Sequence, residues 1–330
     1  MKAIKKYVLK VCTSMLLTIG VVTVSHAGKL PQLEAKLESG QDTKIVFLGD
    51  SVTGGYGVGI DSYPRKFAQL LKNEYPDSNV LYYGKDLRIW PLGTYGAGQN
   101  TCYPAYSFDN PVNPEYIGGL INGARTITVI ADGIGGLNLG RFLARLKNAP
   151  IEISYDSEGY KNLFTSDDPF RADVPYTARD ADAVFMMFGI NDSFPVNVAN
   201  SPNFFPEKED PGLTCYQPVK YAGMSLYTRA IFYSVFRYQY RLAISAVLQQ
   251  AVNNPEIGLI TSNRVGDVEH NQRLTTYYST PASQLGWPTF DVAGLFNAQP
   301  QAVYNSWMLD TYHPNAIGHQ QIANLIFSEY

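Results

Sequence analysis

Cysteine is scarce in this chain of 330 residues, with three in all, Cys12, Cys102 and Cys215. None stands in a Cys-x-x-Cys pair or a Cys/His cluster, which argues against a zinc site. Long apolar runs are scarce too. The longest, Val11 to Val24, is about 14 residues, short of the roughly 20 that a membrane-spanning helix needs, so no stable membrane insertion is expected. Charge of one sign is lacking: the formal net charge is −3, the pI about 5.8, and no basic face is marked out, which speaks against a nucleic-acid partner. No internal repeat, Pro/Ser/Gly linker or charge run divides the chain. Histidine is rare as well, with four in the whole sequence and only three beyond residue 27.

The N-terminal stretch sets the expected compartment. Lys2, Lys5, Lys6 and Lys10 precede the apolar run, and Ser25-His26-Ala27 supplies small residues before Gly28. This reads as a signal peptide over 1–27, with export to the periplasm or beyond the cell; a retained N-terminal anchor is the alternative. Residues 28–330 are then enough for one large α/β domain. In an oxidising compartment Cys102 and Cys215 are expected to form a disulfide, the competing reading being two unrelated buried thiols. Tyrosine, at 24 residues, is frequent enough to offer rings for sugar stacking or merely to package loops.

Alternation of short apolar runs with helical periodicity suggests a parallel sheet covered by helices on both faces. The expected strands are Lys44–Leu48, Val80–Tyr83, Ala183–Phe188, Ile257–Ser262 and Thr289–Val292. Helices are expected over Tyr63–Tyr75, about Ser225–Val252, and from Ile317 to the end. The stretch at about 99–182 breaks this rhythm and reads as an insertion, with a possible extra strand at Thr126–Ala131 and an amphipathic helix near Leu139–Lys147.

A strand that stops abruptly at Gly49-Asp50-Ser51 places a serine where ligands gather in open parallel sheets, beyond the carboxyl ends of the strands. A serine hydroxyl needs a base oriented by a carboxylate before it can attack. His313 has Asp310 three residues before it, and on a loop that spacing lets the carboxylate reach Nδ1 while Nε2 faces the serine. His270 and His319 lack such a partner, and His319 reads as structural. Donors for a developing oxyanion are the Ser51 N–H, Gly98 after the second strand with Gly96 as the alternative, and Asn191 after the third. Asp50 and Asp192 read as braces for their loops; Tyr56, Tyr95, Tyr103 and Tyr106 either line a pocket or pack.

Gly49-Asp50-Ser51-Val52, the Gly96–Gly98 stretch, Gly189-Ile190-Asn191-Asp192 and Asp310-Thr311-Tyr312-His313 together resemble the four blocks of the SGNH (GDSL) hydrolase superfamily, in order and at strand ends. The resemblance implies a flavodoxin-like three-layer α/β/α sandwich with a five-stranded, mostly parallel sheet. It also implies Ser51, Asp310 and His313 as catalytic residues, an oxyanion hole of Ser51, Gly98 and Asn191, and ester hydrolysis without cofactor or metal. The implied substrate is an acetyl or short acyl ester of a carbohydrate or small alcohol. A lipase or lysophospholipase, and a catalytically silent glycan-binding module on the same fold, are the alternatives.

Overall fold

The computed structural model describes residues 28–84, 114–133, 139, 142, 179–190, 192, 226–279 and 284–330. The expected signal peptide, Gly96, Gly98, Asn191, Cys102, Cys215, Tyr95, Tyr103 and Tyr106 lie outside them. In chain order the strands are β1 (Thr43–Gly49), β2 (Asn79–Tyr83), β3 (Glu115–Ile117), β4 (Thr126–Gly133), β5 (Ala183–Met187), β6 (Glu256–Ile260) and β7 (Thr289–Phe290). The helices are α1 (Pro31–Glu38), α2 (Ser51–Gly54), α3 (Tyr63–Glu74), α4 (Leu226–Gln250), α5 (Val268–Leu274), α6 (Val292–Asn297), α7 (Gln301–Trp307) and α8 (Ala316–Glu329).

The sheet runs β3-β2-β4-β1-β5-β6-β7, parallel throughout except for the β2–β3 pair. The described residues form seven strands, where five and a possible extra one at Thr126–Ala131 were expected. Glu115–Ile117 adds an antiparallel edge, and Thr126–Gly133 slots between β1 and β2, so this part of the expected insertion belongs to the sheet itself. The chain winds from β1 toward β2 and β4 on one side, then crosses to β5, β6 and β7 on the other. That reversal puts a crevice at the carboxyl end of β1, the place where open α/β sheets bind ligands.

Apolar residues run unbroken through Ile45–Leu48 and Ala183–Met187, and all are buried, because helices cover both faces of the sheet. On one face Phe47 and its register partner Phe185 stack at 4.7 Å between ring centroids, met by Phe67 of α3 and Phe290 of β7. Helix α8 closes over this cluster through Phe327, 6.0 Å from Phe67. On the other face Phe188, just past β5, meets Phe142 and the α4 ring Tyr240, whose hydroxyl donates to the Met186 carbonyl at 3.0 Å. Burying each such ring is worth about 1.5–3 kcal/mol, so both faces contribute to the cohesion of the sandwich.

Helix α3 starts with Pro64 in its first turn, buries Phe67, Ala68 and Leu71 on one stripe, and stops ahead of Pro76. Helix α8 starts where the Asn315 side chain accepts the N–H groups of Ile317 and Gly318. Among the described residues no helix is long and apolar enough to cross a membrane.

At the crest of the sheet Gly49 registers with Gly133 of β4 and Met187 of β5. Helix α2 lies directly over Gly133: a Cβ there would fall 1.9 Å from the Gly54 nitrogen and 2.5 Å from its Cα. Because the obstacle is backbone, α2 itself would have to move. Gly133→Ala is therefore expected to lower stability by about 1–3 kcal/mol, seen as a reduced urea midpoint at unchanged slope; an unaltered midpoint would disprove the close approach.

Candidate active site

Among the described residues the pairing of β1 with β4 and β5 ends at Gly49, and the chain turns there. Asp50 supplies the turn, its Oδ1 accepting the Val52 N–H at 2.9 Å as the N-cap of α2. Gly55 closes the helix in the left-handed region at φ 77°, and the Tyr56 N–H donates to the Ser51 carbonyl at 2.9 Å. Ser51 is thereby held as the first residue of a capped single turn, 6% exposed at the mouth of the crevice.

The second half of the site comes from the connection between α7 and α8. Met308 and Pro314 form an antiparallel bridge, and the Leu309 N–H donates to the His313 carbonyl at 2.8 Å, which closes the intervening residues into a tight loop. The segment after β6 pins that loop from below: the Gly266 N–H donates to the Thr311 carbonyl and the Asn263 amide to the Tyr312 carbonyl. Within the loop Asp310 Oδ1 accepts the N–H groups of Tyr312 and His313 at 2.7 and 2.8 Å.

The structure brings Ser51, His313 and Asp310 together. Ser51 Oγ lies 2.9 Å from His313 Nε2, and His313 Nδ1 lies 2.9 Å from Asp310 Oδ2 and 3.0 Å from Oδ1. A carboxylate only accepts, so Nδ1 carries the proton and Nε2 is left to accept from the serine hydroxyl. Burial works to raise the Asp310 carboxyl. The bond to His313, the charge of that ring, and the two backbone N–H groups outweigh burial and hold it below the usual carboxylate range. The Tyr56 ring lies on the imidazole with centroids 4.2 Å apart.

Of the other expected residues, Asp192 braces its loop, Oδ1 accepting the Leu139 N–H at 2.8 Å while the Tyr278 hydroxyl donates to the Asp192 carbonyl. His319 lies in α8, wholly buried, where Nδ1 accepts the Tyr63 N–H at 3.1 Å. Burial, with the nearby His313 and Lys66 charges, pushes it down to about 3, so it stays neutral. His270 is buried beside the Tyr312 ring. Among the described residues no group of three or more His, Cys, Asp or Glu side chains is placed to hold a metal ion.

Asp50 does more than brace. It is 1% exposed, and its Oδ2 has no hydrogen-bond partner among the described residues. Burial, reinforced by the charge of Asp192, raises its carboxyl from an ordinary 3.8 to about 7, against the lowering effect of the Val52 N–H. The motif marks this position, yet nothing in a three-residue pattern discloses how completely the sheet crest would bury it.

Neither a family model nor a curated protein matches the chain. Solved structures do. An acetyl xylan esterase from Geobacillus stearothermophilus matches at 16% identity and a TM-score of 0.44, over 88% of this chain and 94% of that one. A lipase/acylhydrolase from Enterococcus faecalis matches at 13% and 0.43, over 87% and 94%. A member of the lipolytic G-D-S-L family from Veillonella parvula matches at 11% and 0.42, over 87% and 98%. At such identities and TM-scores neither chemistry nor substrate carries over from them.

The Asp50 carboxyl gives a stability signature of known sign. Between pH about 4 and about 7 the folded state keeps a proton that the unfolded chain has lost, so this group's contribution to stability falls as pH rises through that window and is flat above it. Asp50→Asn keeps an N-cap acceptor but cannot ionise. Relative to the parent, its melting temperature is expected to be more favourable at pH 8 than at pH 4, by about 2–4 °C for each kcal/mol recovered. A difference that stays constant across the range would refute the assignment.

Proposed function

We propose that the chain is a serine ester hydrolase, with Ser51 as nucleophile, His313 as general base and acid, and Asp310 as the carboxylate that orients the imidazole. The observation that carries this reading is the unbroken run of contacts from Ser51 Oγ to His313 Nε2 and from His313 Nδ1 to Asp310. The motif resemblance to SGNH hydrolases points the same way.

In the cycle, Ser51 Oγ bonds to the ester carbonyl carbon while its proton passes to His313 Nε2. The carbonyl oxygen becomes an oxyanion held by the Ser51 N–H, with Gly98 and Asn191 as the further donors, each worth about 2.7–4 kcal/mol at such sites. Collapse breaks the carbon–oxygen bond to the alcohol, which leaves with the His313 proton. Water, deprotonated by the same Nε2, then attacks the acyl-serine, and the acid departs as Ser51 recovers its proton. Protein and water account for every bond made or broken.

The substrate we assign is an acetyl or other short acyl ester of a carbohydrate or small alcohol. The Gly-Asp-Ser-Val-Thr-Gly-Gly-Tyr-Gly stretch supports that choice, as does the partly exposed Tyr56 ring beside the nucleophile, since a tyrosine face suits a sugar or small ester. Action outside the cytoplasm is supported by the lysine-flanked apolar run at the N-terminus.

Ser51→Ala is expected to lower hydrolysis of p-nitrophenyl acetate by roughly 10^4–10^6-fold and His313→Gln by a similar factor, with folding unchanged. Asp310→Asn should cost about 10^2–10^4-fold, since it reverses the preferred tautomer. Parent-level turnover by the Ser51→Ala protein would end this proposal. A ladder of p-nitrophenyl esters from acetyl to palmitoyl, run beside acetylated glycans, tests the short-acyl assignment; a maximum at long chains overturns it.

A further inference from the structure

Ser51 Oγ at Nε2 and Asp310 at Nδ1 engage His313 through its ring nitrogens. Neither bond touches the ring's face.

The face is covered by Tyr56, with centroids 4.2 Å apart and planes inclined at 36°. This ring belongs to the same turn as the nucleophile, because the Tyr56 N–H is bonded to the carbonyl of Ser51. The two segments meet again one residue on, where the Leu309 side chain lies against Gly57. Tyr56 thus moves with Ser51, and Leu309 moves with the histidine loop. Another aromatic neighbour among the described residues, Tyr312, meets the imidazole nearly perpendicular and farther off, at 6.4 Å.

Resting on the esterase reading above, we infer that Tyr56 is a positioning residue for His313, its ring backing the imidazole face and stabilising the imidazolium that forms each time the histidine takes a proton. The negative face of an aromatic ring attracts a cation within about 6 Å of its centroid, and His313 lies well inside that limit. The stabilisation is differential: it acts on the imidazolium of the transition state more than on the neutral ring of the resting enzyme, so it lowers the barrier rather than merely tightening substrate binding. Among the described residues the ionisable groups set around His313 are Asp310 on its own loop, Tyr312 beside it, Tyr56 from the nucleophile turn, which Asp50 caps, and His319 from α8, which stays neutral.

The test compares Tyr56→Phe, which keeps the face, with Tyr56→Leu and Tyr56→Gln, which remove it. With p-nitrophenyl acetate, the Leu and Gln proteins are expected to lose about fivefold to tenfold in kcat with KM little changed, while Phe stays within about twofold of the parent. The acid limb of kcat/KM should move to lower pH by roughly 0.5–1 unit in Leu and Gln and not in Phe. Proton NMR of the His313 Cε1–H, assigned with His313→Gln, reads the same displacement without any substrate.

Three results overturn the inference. One is a rise in KM at unchanged kcat, which would make Tyr56 a substrate platform. Another is a Phe protein as impaired as Leu, which would place the effect in the hydroxyl. The last is an identical His313 titration in all four proteins. Failure of the esterase reading looks different, with the parent inactive on every ester while the NMR comparison still decides whether the two rings are coupled.

Discussion

The constraint on which the site depends is the ending of β1. A strand buried on both faces cannot simply run out into solvent, and here it stops at a point flanked by Gly133 and Met187 with α2 pressed onto the sheet crest. The Asp50 cap converts that forced turn into a helix start, and a helix start leaves N–H groups pointing outward. Ser51 therefore arrives with its own amide free of strand pairing and its hydroxyl facing the crevice. The same geometry places Asp50 where water cannot reach it, which is why its carboxyl resists ionisation. Local fold and local electrostatics have one cause.

The histidine loop is built on a different principle. It has little core of its own, and its shape comes from the Asp310 carboxylate binding two backbone N–H groups of its own loop, from the Met308–Pro314 bridge, and from anchors after β6. Asp310 is thus both a structural clasp and the partner of Nδ1. On a wider scale the loop is held over the nucleophile by α8, which packs on α3 through Phe327 and through the buried His319 bond to the Tyr63 amide. That backing helps bring Ser51 Oγ and His313 Nε2 within 2.9 Å.

How much of this could be read from the residues follows from the range of the interactions. Asp-x-x-His is a local spacing, and the carboxylate's reach to the ring is set within four residues, so it was legible; so were the ends of β1 and α3, marked by Gly49 and Pro76. Strand β4 was legible only as a possible extra strand at Thr126–Ala131, because its central position is decided by pairing with β1 and β2, which no local pattern reports. Strand β3 is three residues long and α6 six, too short for periodicity to emerge. Thr289–Val292 was expected as strand, yet the strand ends at Phe290 because Asp291 caps a helix that begins at Val292. The packing of Tyr56 on His313 joins distant parts of the chain and left no trace beyond an aromatic after a glycine pair. Gly98 and Asn191 lie outside the described residues.

The two flanks of the sheet carry a further consequence. Among the described residues the outermost strands are β3, of three residues, and β7, of two, while the long apolar strands sit inside. Exposed strand edges are templates on which a second molecule can add its own backbone, and the hazard grows with the length of the unpaired ladder. Arg65 further ties Glu115 of β3 back to α3 through a two-pronged ion pair at 2.6 and 2.8 Å. A sheet whose stickiest segments are central and whose margins are blunt and tethered resists fibrillar self-association, a useful property for a chain rich in unbroken hydrophobic strands.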